Sequence, residues 1–242
     1  MSRPSLSLIV SLLVANSNMA QDGRNATERL TKQGEQFQEQ VIKVADNVYT
    51  AVGFSVSNVS MVVGDDGVVI VDTGMMLDDA SRIATEFRKL SDKPVKAIIF
   101  THAHGDHTGG AAAFLGDKRP QIWAHQNFGS EALPLRNGGL TFQRVRGARQ
   151  GGFKRPPEQR LNNGIAPVRY PKRGAAAFAS DKNVQPTHFL KGDSQTFKVA
   201  GVELELVSSP GETNDQLFVW YAAGKVLFAG DNFYRSFPNL YA

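Results

Sequence analysis

Val95-Lys96-Ala97-Ile98-Ile99-Phe100-Thr101-His102-Ala103-His104-Gly105-Asp106-His107 is the stretch on which the reading of this chain turns. Its first six residues are apolar except for Lys96, the composition of a short strand buried on both faces. The strand runs without a spacer into three of the chain's five histidines. At a strand end, His102 and His104 at i and i+2 can project to one side and share a metal ion. Asp106 and His107, on a turning backbone, can face a second ion a few ångströms away, and Gly105 permits the turn between the two pairs. As a plain polar loop, ligands packed this closely would repel one another when protonated. The chain has no Cys, so a metal here must sit on imidazole and carboxylate groups.

Outward from this stretch the pattern is α/β. Upstream, Val48–Val52, Ser60–Val63 and Val68–Val71 read as strands, with Asp65-Asp66-Gly67 as the hairpin signal between the last two. Leu77, Ile83, Ala84, Phe87 and Leu90 fall at helical spacing and Pro94 follows, so a crossover helix over 77–90 is expected. A strand, a helix and a strand with histidines at the last strand's carboxyl end is where α/β folds place their chemistry. Downstream, a helix over Gly109–Leu115 and a strand over Gln121–His125 are expected. The alternation of Val199–Val207 reads as one strand, and 217–221 with 226–229 as a hairpin around Ala223-Gly224.

With 242 residues, 41% apolar and 21% charged, the chain can bury a core without staples, and its usage excludes collagen, coiled coil and wholesale disorder. Three regions are expected: residues 1–20, a polar segment 21–40, and one domain over 41–242 with a basic insert at 136–187. Residues 1–20 carry Arg3, the apolar run Leu6–Ala15 and small residues near Ala20, the make-up of a secretory signal, so a secreted or periplasmic protein is expected. No later run reaches the about 20 apolar residues of a membrane span. Arg136–Arg173 holds ten Lys/Arg against the single acid Glu158, leaving the rest of the chain net acidic. That suggests an anionic partner, a small sulfate, phosphate or carboxylate or a nucleic acid backbone, as well as a merely solvated loop face.

The HxHxDH stretch together with Val71-Asp72-Thr73-Gly74 resembles the metallo-β-lactamase superfamily over about Val41–Ala242. The resemblance implies an α/β fold, an αββα sandwich, with two zinc ions between the sheets. It implies that Asp72 supports the metal loop from behind the ligands. The family's later PGHT-like turn matches Ser209-Pro210-Gly211-Glu212-Thr213, with Glu212 where His is usual, and its bridging carboxylate matches Asp231 in Ala229-Gly230-Asp231-Asn232. His102, His104 and Glu212 are thus expected on one ion and Asp106, His107 and Asp231 on the other, with Asp231 bridging and Asp106 also taking a catalytic part. His125 and His188 stand outside these motifs.

Glu212, Asp231-Asn232 and the closing run Phe237-Pro238-Asn239-Leu240-Tyr241 are together similar to the alkyl sulfatase branch, which implies a small anionic amphiphile as substrate, with Asn239 and Tyr241 contacting it. The basic insert suits a sulfate head group. Members of that branch continue into an Arg that meets the sulfate, a last metal-binding His, and helical domains for dimerisation. The sequence shows none of these, so a C-terminally truncated chain with an incomplete second metal site and little turnover is expected. The alternatives are hydrolysis of a thioester, lactone or β-lactam on the same scaffold, against which Glu212 stands, and a non-catalytic metal-binding fragment. A nuclease is disfavoured, and no nucleic acid partner expected, because the insert lacks interleaved aromatics.

Overall fold

Valine-rich segments that alternate with tight turns build the larger of two sheets. In the computed structural model, which describes residues 28–117, 119–130 and 184–234 with positions 25 and 156, this sheet has seven strands in sequence order. They are β1 (Gln40–Ala45), β2 (Val48–Val52), β3 (Val59–Val63), β4 (Val68–Val71), β5 (Val95–Ile99), β6 (Gln121–His125) and β7 (His188–Leu190). β1 to β4 are antiparallel neighbours and β4 to β7 are parallel. The expected signal at 1–20, nearly all of the basic insert, and Asn239 and Tyr241 lie outside the described residues.

The parallel pairing of β4 and β5 requires a crossover, and helix α1 (Leu77–Leu90) supplies it with the bounds its periodicity predicts. Asp78 and Asp79 stand in its first turn and Arg88 and Lys89 in its last, each sign where the helix dipole favours it. Ala80, Ile83, Ala84 and Phe87 form its buried stripe against Met61, Ile70, Ile98 and Ile122 of the sheet. On the opposite face lies the second sheet, antiparallel in the order β11 (Val226–Phe228), β10 (Leu217–Tyr221), β9 (Val202–Ser208), β8 (Ser194–Val199). Leu204, Leu206, Leu217 and Val219 turn inward onto Val69, Val71 and Ile99, each such buried side chain contributing about 1.5–3 kcal/mol. Trp123 of β6 stacks on Phe197 of β8, ring centroids 4.4 Å apart, and Asn47 Nδ2 donates to Tyr221 Oη at 3.0 Å, so packing and a polar tie both join the sheets. The molecule is therefore of the α/β class, layered as helix, sheet, sheet.

Two expectations are corrected. The strand expected over 199–207 is a hairpin, because Ala200 and Gly201 both take positive φ, 57° and 77°, and turn the chain between β8 and β9. Such a pair makes the mirror-image turn that suits strand twist. The helix expected over 109–115 is a 3₁₀ turn at Ala111–Phe114, preceded by the single helical turn α2 (Gly105–Thr108) inside the histidine motif. Gly109 and Gly110 act as spacers rather than helix starters: a Cβ on either would come within 2.1 Å of the carbonyl oxygen of Met75 or Thr73.

Candidate metal centre

The carboxyl ends of β4 and β5 point the same way, and the centre is built there. Asp72 follows β4 with φ 57°, a left-handed conformation uncommon outside glycine but tolerated by aspartate. The strain turns its carboxylate onto the next strand's end. Oδ1 accepts from the Thr101 backbone N–H at 2.8 Å, Oδ2 accepts from the Thr101 hydroxyl at 2.9 Å, and Oδ2 lies 2.8 Å from His107 Nδ1. Thr73, the next residue, donates its N–H and hydroxyl to the His107 carbonyl at 2.8 and 2.9 Å. Asp72 thus supports the histidine loop from behind, and with a carboxylate on Nδ1 the free lone pair of His107 is on Nε2.

Two sets of ligand atoms converge on this loop. In one, His102, His104 and Glu212 meet; in the other, His102, His107 and Asp231, with the donor atoms of each set within 4.8 Å of one another. Glu212 Oε2 is 3.6 Å from His102 Nε2 and 3.5 Å from His104 Nδ1. Asp231 Oδ1 is 3.2 Å from His107 Nε2 and Asp106 Oδ2 is 3.6 Å from it. Asp106 therefore stands beside the second set, while His102 belongs to both. The Asp106 carbonyl accepts the Ser57 hydroxyl, which pins the loop to residues 53–58.

The donors suit a cation. His102 Nε2, His107 Nε2 and both oxygens of Glu212 are shut off from solvent and make no hydrogen bond, a costly state for polar atoms unless an ion takes their lone pairs. Burial, then the neighbouring His107, push the His102 pKa down, whereas pairing with Glu212 raises that of His104. Burial opposes charge on His107, yet Asp72, Asp106 and Asp231 together raise its pKa well above the usual value. Asp231 is held well below the carboxylate range: burial works the other way, but His107, Glu212 and Tyr234 prevail.

The carboxylates come from the second sheet. Glu212 sits in the turn between β9 and β10, and Asp231 in a 3₁₀ turn, Gly230–Asn232, after β11. Asn232 Nδ2 donates to the Ser209 carbonyl at 2.7 Å and lies 2.9 Å from the Ser209 hydroxyl, and buried Gln216 donates to the Ala229 carbonyl at 3.2 Å, so the two ligand turns are strapped together. A Cβ at Gly211 would lie 1.6 Å from Asn232 Oδ1, which explains glycine there. Thr101, Gln216 and Tyr234 carry no motif signal in the sequence beyond their polarity near the motif residues. His125 and His188 stand apart from the centre. His125 accepts the Asn127 N–H on Nδ1, faces the Ser208 hydroxyl with Nε2 and is pushed down in pKa by burial, and His188 packs on Trp123.

Beside the second set opens a cavity of about 390 Å³, lined by Asp106, His107 and Asp231 and by Val52, Leu227 and Phe233 among others. Among the described residues no helix is long and apolar enough to cross a membrane.

Two packed sheets with imidazole and carboxylate donors at their shared rim define a class of α/β proteins with a candidate metal centre between the sheets. The chain belongs to the metallo-beta-lactamase superfamily, whose family model matches residues 52–240. Its relatives include a linear primary-alkylsulfatase of Pseudomonas sp., 29% identical over 178 residues, which cover 71% of this chain and 32% of that protein. The alkyl/aryl-sulfatase BDS1 of Saccharomyces cerevisiae is 25% identical over 213 residues, covering 84% of this chain and 32% of that one. In three dimensions the chain is similar to the stereoselective inverting sec-alkylsulfatase Pisa1 from Pseudomonas sp., with a TM-score of 0.64 at 22% identity over 78% of this chain and 30% of that one, a likeness of fold. The chain spans about a third of the length of these relatives.

Proposed function

We propose that this chain is a zinc-dependent hydrolase of alkyl sulfate esters, with two ions held by His102, His104, Glu212, His107, Asp231 and Asp106. The observation that carries the reading is Glu212: a buried carboxylate without a hydrogen bond, 3.5 and 3.6 Å from two histidines, in a protein whose relatives are alkylsulfatases. Divalent metal at such a site supplies Lewis acidity, polarising the ester's sulfate oxygens and acidifying a water molecule.

The protein's own groups then have separable tasks. Asp72 and Thr101 hold the histidine loop in register, and Asn232 holds the two carboxylate turns together. Asp106, whose side chain is 22% exposed and which borders the cavity, would accept the proton of the attacking water and return it to the group released as the ester bond breaks. Val52, Leu227 and Phe233 on the cavity lining offer apolar contact to an alkyl chain.

Glu212→Ala tests the reading. It should remove one zinc equivalent and lower release of inorganic sulfate from dodecyl sulfate by about 100-fold, a barrier increase of ~2.7 kcal/mol. Sulfate release by ion chromatography and zinc by elemental analysis read the two effects. A wild-type chain that cleaves a β-lactam or an acyl thioester faster than dodecyl sulfate would overturn the substrate class. Unchanged zinc in the variant would overturn Glu212 as ligand.

A further inference from the structure

Tyr234 lies three residues beyond Asp231, outside every motif read from the sequence. Its hydroxyl donates to Asp231 Oδ2 at 2.9 Å. The other oxygen, Oδ1, is the one 3.2 Å from His107 Nε2. The two oxygens of one carboxylate therefore face different partners, a phenol on one side and the ligand nitrogens on the other. Tyr234 also lines the cavity together with Asp106, His107 and Asp231.

We propose that Tyr234 is a positioning residue for the second ligand set: by engaging Oδ2 it fixes Asp231 as a single-oxygen ligand, with Oδ1 turned toward His107 and His102. The inference rests on reading Asp231 as a metal ligand. A phenol carries one O–H donor and an ionised carboxylate can only accept, so the bond runs from Tyr234 to Asp231 and uses up Oδ2. A ligating carboxylate whose second oxygen is engaged loses the freedom to rotate about its side-chain bonds. Without the phenol it can chelate with both oxygens or swing into the cavity, where Asp106 already places negative charge. Partners behind a ligand typically govern metal affinity by about 10–100-fold.

The experiment is titration of the metal-free full chain with zinc against a chromophoric chelator, repeated with cobalt(II) for its visible absorption, in wild type, Tyr234→Phe and Asp231→Asn. Tyr234→Phe should weaken one of two equivalents by about 10–100-fold, alter the cobalt spectrum of that equivalent, and leave the other and the metal-free melting temperature unchanged. Asp231→Asn should abolish the same equivalent. If Tyr234→Phe titrates like wild type while Asp231→Asn loses the equivalent, the positioning role is overturned and the ligand reading stands. If Asp231→Asn also titrates like wild type, the ligand reading itself fails, and Tyr234's role with it. Weakening of both equivalents together with a lower metal-free melting temperature would mark Tyr234 as a structural residue and overturn the proposal.

Discussion

Asp72→Asn is expected to leave the chain folded and to weaken the second metal equivalent by about 100-fold, the upper end for a residue behind the ligands. The variant keeps the shape of the side chain, and asparagine tolerates the positive φ of this position as well as aspartate does. Its amide oxygen can still accept the Thr101 backbone N–H, which would otherwise be left buried and unpaired. That choice forces the NH₂ group onto the side of His107 Nδ1, 2.8 Å away in the wild type. A carboxylate there can only accept, so Nδ1 carries the proton and Nε2 is free to bind metal. An NH₂ group can only donate, so Nδ1 becomes the acceptor and the proton moves to Nε2, which then cannot ligate. Metal-free thermal melting within about 1 kcal/mol of wild type, with one zinc equivalent lost in a chelator titration, is the expected pair of results. Two equivalents bound as tightly as in wild type would refute the tautomer argument.

The double variant His102→Ala/His104→Ala should lose both equivalents. His104 belongs to one ligand set, but His102 belongs to both, so the pair of changes leaves the first set with Glu212 alone and the second with a single imidazole, His107. Since partners behind a ligand cost up to about 100-fold, removal of the ligands themselves should cost more. Elemental analysis after desalting should fall to background and sulfate release with it. Full metal content in the double variant would show that ions bind elsewhere on the chain.

What could be read in advance divides along physical lines. Helix α1 was legible to the residue because its apolar positions repeat at helical spacing and Pro94 closes it. The Asp65–Gly67 turn is legible because its residues favour turns by their own chemistry, whereas Ala200 adopts positive φ without any such preference, and the alternation running through it hides the hairpin. Gly109 and Gly110 look like the start of a helix in sequence; only their distance to Met75 and Thr73 in space shows that they admit a close approach of backbones. At the centre, the histidines announced themselves by density, and Glu212 and Asp231 through family resemblance. The sharing of His102 between two sets, the strap from Asn232 to Ser209 and the phenol behind Asp231 are relations between segments far apart in the chain. Periodicity and spacing carry no record of them.

The division of donors between the two sheets has a mechanical consequence. Three histidines hang from the end of β5 and two carboxylates from the turns after β9 and β11, so an ion seated among them is a rivet through the seam of the sandwich. It resists the sheets' sliding or parting in the same measure as it prefers the assembled donors to the unfolded chain. At free zinc a thousandfold above the dissociation constant, that preference amounts to about 4.1 kcal/mol, comparable to burying two large apolar side chains. The melting midpoint should therefore climb with free zinc and settle back under a chelator. The seam is held by dispersion along its length, through Trp123 on Phe197 and the leucines of β9, and by charge at the one rim where chemistry is proposed to occur.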